Sequence, residues 1–231
     1  MLKGPKAINW AVQRWKVDII NLSFSLRGLH QDIDDSIREA LDPTNVAQTA
    51  ATRKIIFAAA GNNRGGNTRR SWPASRNGAI AVHATDGMGT PVNINPSREG
   101  GVCFATLGMN IPYTLYYHNE DGDLDDREVY ISGTSFATPI AAGIAANILE
   151  YARLHIDELD EDRKKRLYSG PCMRRIFTAL SQERNGYHYV QPWTFWEQRM
   201  DGGEWDGNDY PRGDPNGDNV AQALLHIVRD T

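Results

Sequence analysis

Apolar residues along this chain follow two rhythms, and the change from one to the other marks out its elements. Ile8, Ala11, Val12 and Trp15 recur at three- and four-residue spacing, which predicts a helix with one buried face over 7–15. The following run, Val17 to Ser25, is rich in β-branched residues and predicts a strand. Ile33, Ile37, Ala40 and Leu41 mark a second short helix that Pro43 ends or kinks, and a helix is expected to resume from Ala47 to Arg53. After Lys54 the chain is continuously apolar to Ala60, the pattern of a strand buried on both faces of a parallel sheet. A polar loop over 62–78 leads to strands at Ala79–His83 and Gly100–Thr106. A longer excursion, Asn110–Asp126, then precedes Arg127–Ile131, which leads into the turn before Ser135. Strands alternating with helices predict an α/β fold, three-layered around a mostly parallel sheet with right-handed crossovers.

The second half is more polar. Asp157–Arg166 reads as a charged surface helix or loop. Met173, Ile176, Phe177 and Leu180 predict a helix over 172–180, and Gly186–Trp193 an extended aromatic stretch. The reading places one domain over 1–200, an acidic Gly/Pro-rich linker over 201–218, and a short amphipathic helix over 219–231. The apolar face of that helix, Val220, Ala223, Leu224, Ile227 and Val228, suits either the domain or a partner.

Chemistry concentrates in two places. Ser135 stands at the start of a helix built from small residues, where the helix dipole and free N–H groups favour developing negative charge. Gly133 before it is expected in a turn that glycine makes easily, with room for another backbone to approach. Pro139 is expected early enough in the helix to lose no intrahelical bond. Read alone, Thr134 or Ser135 could simply cap a buried helix. The second place is Asn62, at the end of the apolar strand, where its amide can point a donor across the strand end. Read alone, Gly61-Asn62 makes a turn.

Taken together, the run Ile131–Gly143 and the segment Ala58-Ala59-Ala60-Gly61-Asn62 resemble the subtilisin-like serine proteases (peptidase S8, the subtilases). The close of the domain resembles a fungal-type branch of that family. The resemblance implies a serine endopeptidase acting through an acyl-enzyme on Ser135, with Asn62 and the Ser135 N–H holding the oxyanion. It implies that Ser23, Phe24, Ser25, Ala59, Ala60, Gly61, Gly133 and Thr134 line the cleft for an extended peptide or protein substrate. It also implies that Trp72-Pro73-Ala74 helps frame the first specificity pocket. The family's triad runs Asp, His, Ser along the chain, and neither an Asp-(Ser/Thr)-Gly nor a His-Gly-Thr segment occurs here. The fold is therefore expected to be incomplete at its N-terminal side and the chain inactive alone, with a missing N-terminal portion of the domain as a partner. The alternative is a non-catalytic pseudoprotease that binds peptides or proteins.

Composition narrows the rest. At 231 residues and 40% hydrophobic content the chain can bury a sizeable core. A formal charge of −4 argues for neither nucleic acid nor membrane partners. No secretory leader or membrane-spanning run is read, so an intracellular location is the default expectation. Two cysteines, Cys103 and Cys172, make no disulfide framework. Asp121–Asp126 alternates carboxylates, yet position six is Asp126 and position twelve Ser132, so it reads as a solvated hairpin turn and not a calcium loop. No cofactor is expected; the resemblance leaves room for structural calcium, to which no residues are matched.

Overall fold

Six strands pair into one sheet and two more form a separate ribbon in the computed structural model of the protein, which describes residues 4–26, 28–41, 53–62, 69–98, 100–156, 159–195 and 218–229. The strands are β1 (Ile19–Leu22), β2 (Ile55–Ala59), β3 (Ile80–Thr85), β4 (Phe104–Leu107), β5 (Ile111–His118), β6 (Leu124–Ile131), β7 (Ser181–Arg184) and β8 (Tyr187–Val190). The large sheet has the order β1-β2-β3-β4-β8-β7 and is parallel at every pairing from β1 to β8; only β7 runs antiparallel. The mostly parallel α/β fold expected from the alternation is thus present. Among the described residues β1 forms one edge and its outer side is unpaired.

Helices cover both faces. On one side lie α1 (Gly4–Gln13) and α2 (Gln31–Leu41), whose Ile8, Val12, Ile37 and Ala40 pack on Ile20, Leu22, Ile56, Ala58 and Ala81. On the other lie α3 (Thr134–His155), α4 (Glu161–Leu167), α5 (Gly170–Ala179) and α6 (Asp218–Arg229). Alternate residues of the central strands, Ile55 and Phe57 of β2 and Ile80 and Val82 of β3, point into this second core. Phe57, Phe104 and Phe177 meet there with ring centroids 5.4 and 5.6 Å apart. Ala137, Ala141, Ala145 and Ala152 give α3 a face of small side chains, so the helix lies close against the sheet. The Thr106 hydroxyl donates to the Ala137 carbonyl at 2.7 Å and ties β4 to the same helix.

Several expectations are refined. The final helix does not stand apart: Leu224, Leu225, Ile227 and Val228 of α6 are buried in the core that α3 and α5 share. The excursion after Asn110 is a regular hairpin of two eight-residue strands, β5 and β6, paired from Ile111↔Ile131 to His118↔Leu124. Its turn is closed by Asn119, whose Oδ1 accepts from the N–H groups of Asp121 and Asp123. Of the helix expected over 47–53 only Arg53 is described, and it is not helical; of the linker expected over 201–218 only Asp218 is described, as the first residue of α6. Both cysteines are buried, and neither is in a disulfide among the described residues. Among the described residues no helix is long and apolar enough to cross a membrane. Among them, too, no group of three or more His, Cys, Asp or Glu side chains could hold a metal ion.

Candidate active site

β2 ends at Ala59, and the chain leaves the sheet through Ala60, Gly61 and Asn62. Gly61 has φ 118°, a conformation that a residue with a Cβ rarely adopts, so the exit of the strand needs glycine. α3 begins at Thr134 beside it. The Thr134 N–H donates to Asn62 Oδ1 at 2.8 Å, and the Thr134 hydroxyl donates to the same oxygen at 3.0 Å. That hydroxyl also accepts from the Gly61 N–H at 3.2 Å. A closed network results, Gly61 to Thr134 to Asn62, in which Thr134 is fully buried.

This network decides which way Asn62 faces. A backbone N–H can only donate, so the side-chain atom facing Thr134 must be the oxygen. The amide nitrogen is turned the other way and makes no hydrogen bond among the described residues. Gly133 has φ 165°, ordinary extended backbone, so the expected glycine-only turn is absent. Glycine is required there for a different reason: a Cβ at 133 would stand 3.0 Å from Asn62 Nδ2 and 3.4 Å from the Phe136 ring. The residue before the helix is thus cut back to admit the asparagine. Gly133 is itself held by its N–H donating to the Gly108 carbonyl at 2.8 Å.

The first turn of α3 leaves one donor over. Phe136 and Ala137 both donate to the Gly133 carbonyl, and Thr134 donates to Asn62. The Ser135 N–H has no acceptor among the described residues, and neither does the half-buried Ser135 hydroxyl have a partner. Two unpaired N–H donors and one hydroxyl therefore share the start of the helix. Pro139 departs from expectation: α3 starts at Thr134, so the proline lies beyond the first turn and denies the Ser135 carbonyl its N–H four residues on.

Of the residues expected to line a cleft, Ser23, Phe24 and Ser25 follow β1 at the same end of the sheet, since Leu22 is level with Ala58. Phe24 and Ser25 are exposed there. Leu26 donates its N–H to the Trp72 carbonyl at 2.9 Å, joining this segment to Trp72-Pro73-Ala74. Ala59 and Ala60 are buried, and both backbone groups of Ala60 are engaged, the N–H by Val82 and the carbonyl by Ser71. Thr134 faces inward, fully buried, and positions Asn62.

No described histidine bonds Ser135. His83 is fully buried on β3, with Nδ1 on the Phe104 carbonyl at 3.1 Å and Nε2 unpartnered. Burial is the main cause that lowers its pKa to about 4, so the ring is neutral at ordinary pH. His188 meets the Ser181 hydroxyl, His118 the Gly122 carbonyl, and His155 stacks on Tyr151. His30 lies beside the Trp72 ring, and His226 is exposed on α6.

Comparison with known proteins identifies the family. The model of the subtilase family matches residues 4–164. The subtilisin-like protease het-Q2 of Podospora anserina is 31% identical over 214 residues, covering 88% of this chain and 54% of that protein. This chain therefore spans about half the length of that relative. Among solved structures, the prenylagaramide maturation protease PagA superposes with TM-score 0.54 at 23% identity, over 78% of this chain and 57% of that one. The patellamide maturation protease PatA gives 0.55 at 22% identity, over 81% and 64%. These two likenesses show the fold. With the family model matching over 4–164 and the het-Q2 relative matching most of its length, the chain belongs to the subtilase family of serine-type proteases.

Proposed function

We propose that this chain carries the nucleophile and oxyanion side of a subtilisin-like serine endopeptidase. Ser135 Oγ attacks the carbonyl carbon of an extended peptide and passes its proton to a base. The oxyanion that forms is held by Asn62 Nδ2 and the Ser135 N–H. The amine leaves with that proton, and water then releases the acyl group from Ser135. The reading is carried by one observation: the amide nitrogen of Asn62 and the N–H of Ser135 are both unpaired at the start of α3, among the described residues, while the Asn62 oxygen is anchored by Thr134. Preoriented donors of this kind stabilise charge without reorganising in the transition state.

The base and its orienting carboxylate, on this reading, come from polypeptide outside the present sequence that adds strands to the unpaired side of β1. A catalytically silent peptide-binding module is the second reading, favoured by the lack of any histidine on Ser135 among the described residues. The two are separated by labelling with a serine-reactive fluorophosphonate. The chain alone should not label. Mixed or co-expressed with a polypeptide bearing the family's Asp and His segments, it should label, and Ser135→Ala should remove the label. Labelling that survives Ser135→Ala would overturn the assignment, and no label in any completed form would favour the silent module.

A further inference from the structure

The β5–β6 hairpin is rooted on the candidate site. β6 ends at Ile131, the Ser132 hydroxyl accepts from the Asn110 N–H at 3.0 Å, and Ser135 follows three residues later. Among the described residues the two strands pair only with each other. A lone two-stranded ribbon is marginal in water and gains most when something covers a face. Eight residues of strand carry it about 26 Å from its root.

Its two faces differ in a way that points to an occupant. Residues directly opposite across an antiparallel pair share a face. One face holds Leu115 and Val129, both half-buried, together with Tyr117, Asp125 and Arg127. There the chemistry is complete: the Tyr117 hydroxyl donates to Asp125 at 3.2 Å, and the Arg127 guanidinium sits 5.8 Å from the centre of the Tyr117 ring. The other face is exposed along its whole length and repeats the pattern without the cation. Tyr130 donates to Glu128, and Tyr116 stands directly opposite Asp126. Tyr116 is 65% and Tyr130 63% exposed, Leu124 at the tip opposite His118 is 68% exposed, and no lysine or arginine lies on this face.

We propose that this second face docks an arginine- or lysine-bearing extended segment of the protein substrate, so that the hairpin selects substrates with basic residues near the scissile bond. The proposal rests on the protease reading above. Carboxylates supply the charge and the tyrosine rings supply cation–π and apolar contact, the arrangement that Arg127 already satisfies on the opposite face. The hairpin is strongly acidic, with Glu120, Asp121, Asp123, Asp125, Asp126 and Glu128 against Arg127, so a basic segment is also the complementary one.

The test is binding of matched fluorescent peptides to the full chain, one bearing arginines and one glutamates in their place. The basic peptide should bind, weaken with added salt, and lose about tenfold in affinity in the isosteric double variant Asp126→Asn, Glu128→Gln. Equal binding of both peptides, or affinity unchanged by the double variant, would overturn the proposal. So would self-association of the chain that the double variant abolishes, since the occupant would then be a second copy. Binding and acylation fail separately: Ser135 label in the form completed with the Asp and His segments, but no charge preference in binding, removes the docking face, whereas charge-dependent binding with no label in any completed form removes the protease reading.

Discussion

Asn62, where β2 leaves the sheet, and Asn95, in the loop after β3, begin from the same anchoring and end in opposite states. Each accepts a backbone N–H through Oδ1 at 2.8 Å, Asn62 from Thr134 and Asn95 from Ala84. Asn95 then donates its amide back to the Ala84 carbonyl, also at 2.8 Å, and is buried. It imitates a neighbouring strand and closes the backbone's account of donors and acceptors. Asn62 has no such carbonyl, is exposed, and keeps its NH₂ unpaired among the described residues. The same side chain is a structural staple in one place and an open donor in the other. What separates them is whether the second hydrogen-bonding group of the amide finds a partner.

That contrast can be broken from either side. The largest effect is expected at Asn62. In the completed enzyme, Asn62→Ala should lower turnover about 10²–10³-fold, the magnitude already established for an oxyanion-hole amide of subtilisin, with the thermal midpoint changing little. A variant that turns over normally would place the oxyanion elsewhere. Asn95→Ala should do the reverse. It leaves the buried Ala84 N–H without its acceptor, while the Ala84 carbonyl keeps the Val92 N–H, at a cost of about 1–3 kcal/mol in denaturant unfolding, with kcat per folded molecule preserved. A smaller effect on both readouts is expected for Thr134→Val. The Gly61 N–H loses its acceptor and Asn62 keeps one anchor of two, which should cost about 1–2 kcal/mol of stability and loosen the amide. Turnover should fall, but less than in Asn62→Ala. Equal losses in the two variants would mean that Thr134 acts in catalysis directly.

Much of this was legible in the sequence because burial and periodicity speak plainly there. The all-apolar Ile55–Ala59 has the pattern of a central strand, and the spacing of Ile33, Ile37, Ala40 and Leu41 that of one helix face, and both are found. Ser135 and Asn62 were readable as a pair through family resemblance. Other features left no local signal. β5 was hidden because tyrosines stand on both of its faces, Tyr113 and Tyr117 on one and Tyr116 on the other, which erases the two-residue alternation. β7 is the polar Ser-Gln-Glu-Arg at the sheet edge, where little burial is demanded. The need for glycine at 133 arises from Asn62, more than seventy positions earlier in the chain, and no local rule about turns could have supplied it. Thr134, expected along the cleft, faces inward because its partners come from the end of a different strand.

The central claim is that two unpaired donors converge on the charge formed when Ser135 attacks. A crystal structure of the completed protein with a phosphonate bound covalently to Ser135 tests it directly. The phosphonyl oxygen is expected about 2.7–3.1 Å from both Asn62 Nδ2 and the Ser135 nitrogen, with Asn62 Oδ1 still on Thr134. An oxygen that points away from Asn62, toward solvent or another donor, would contradict the account.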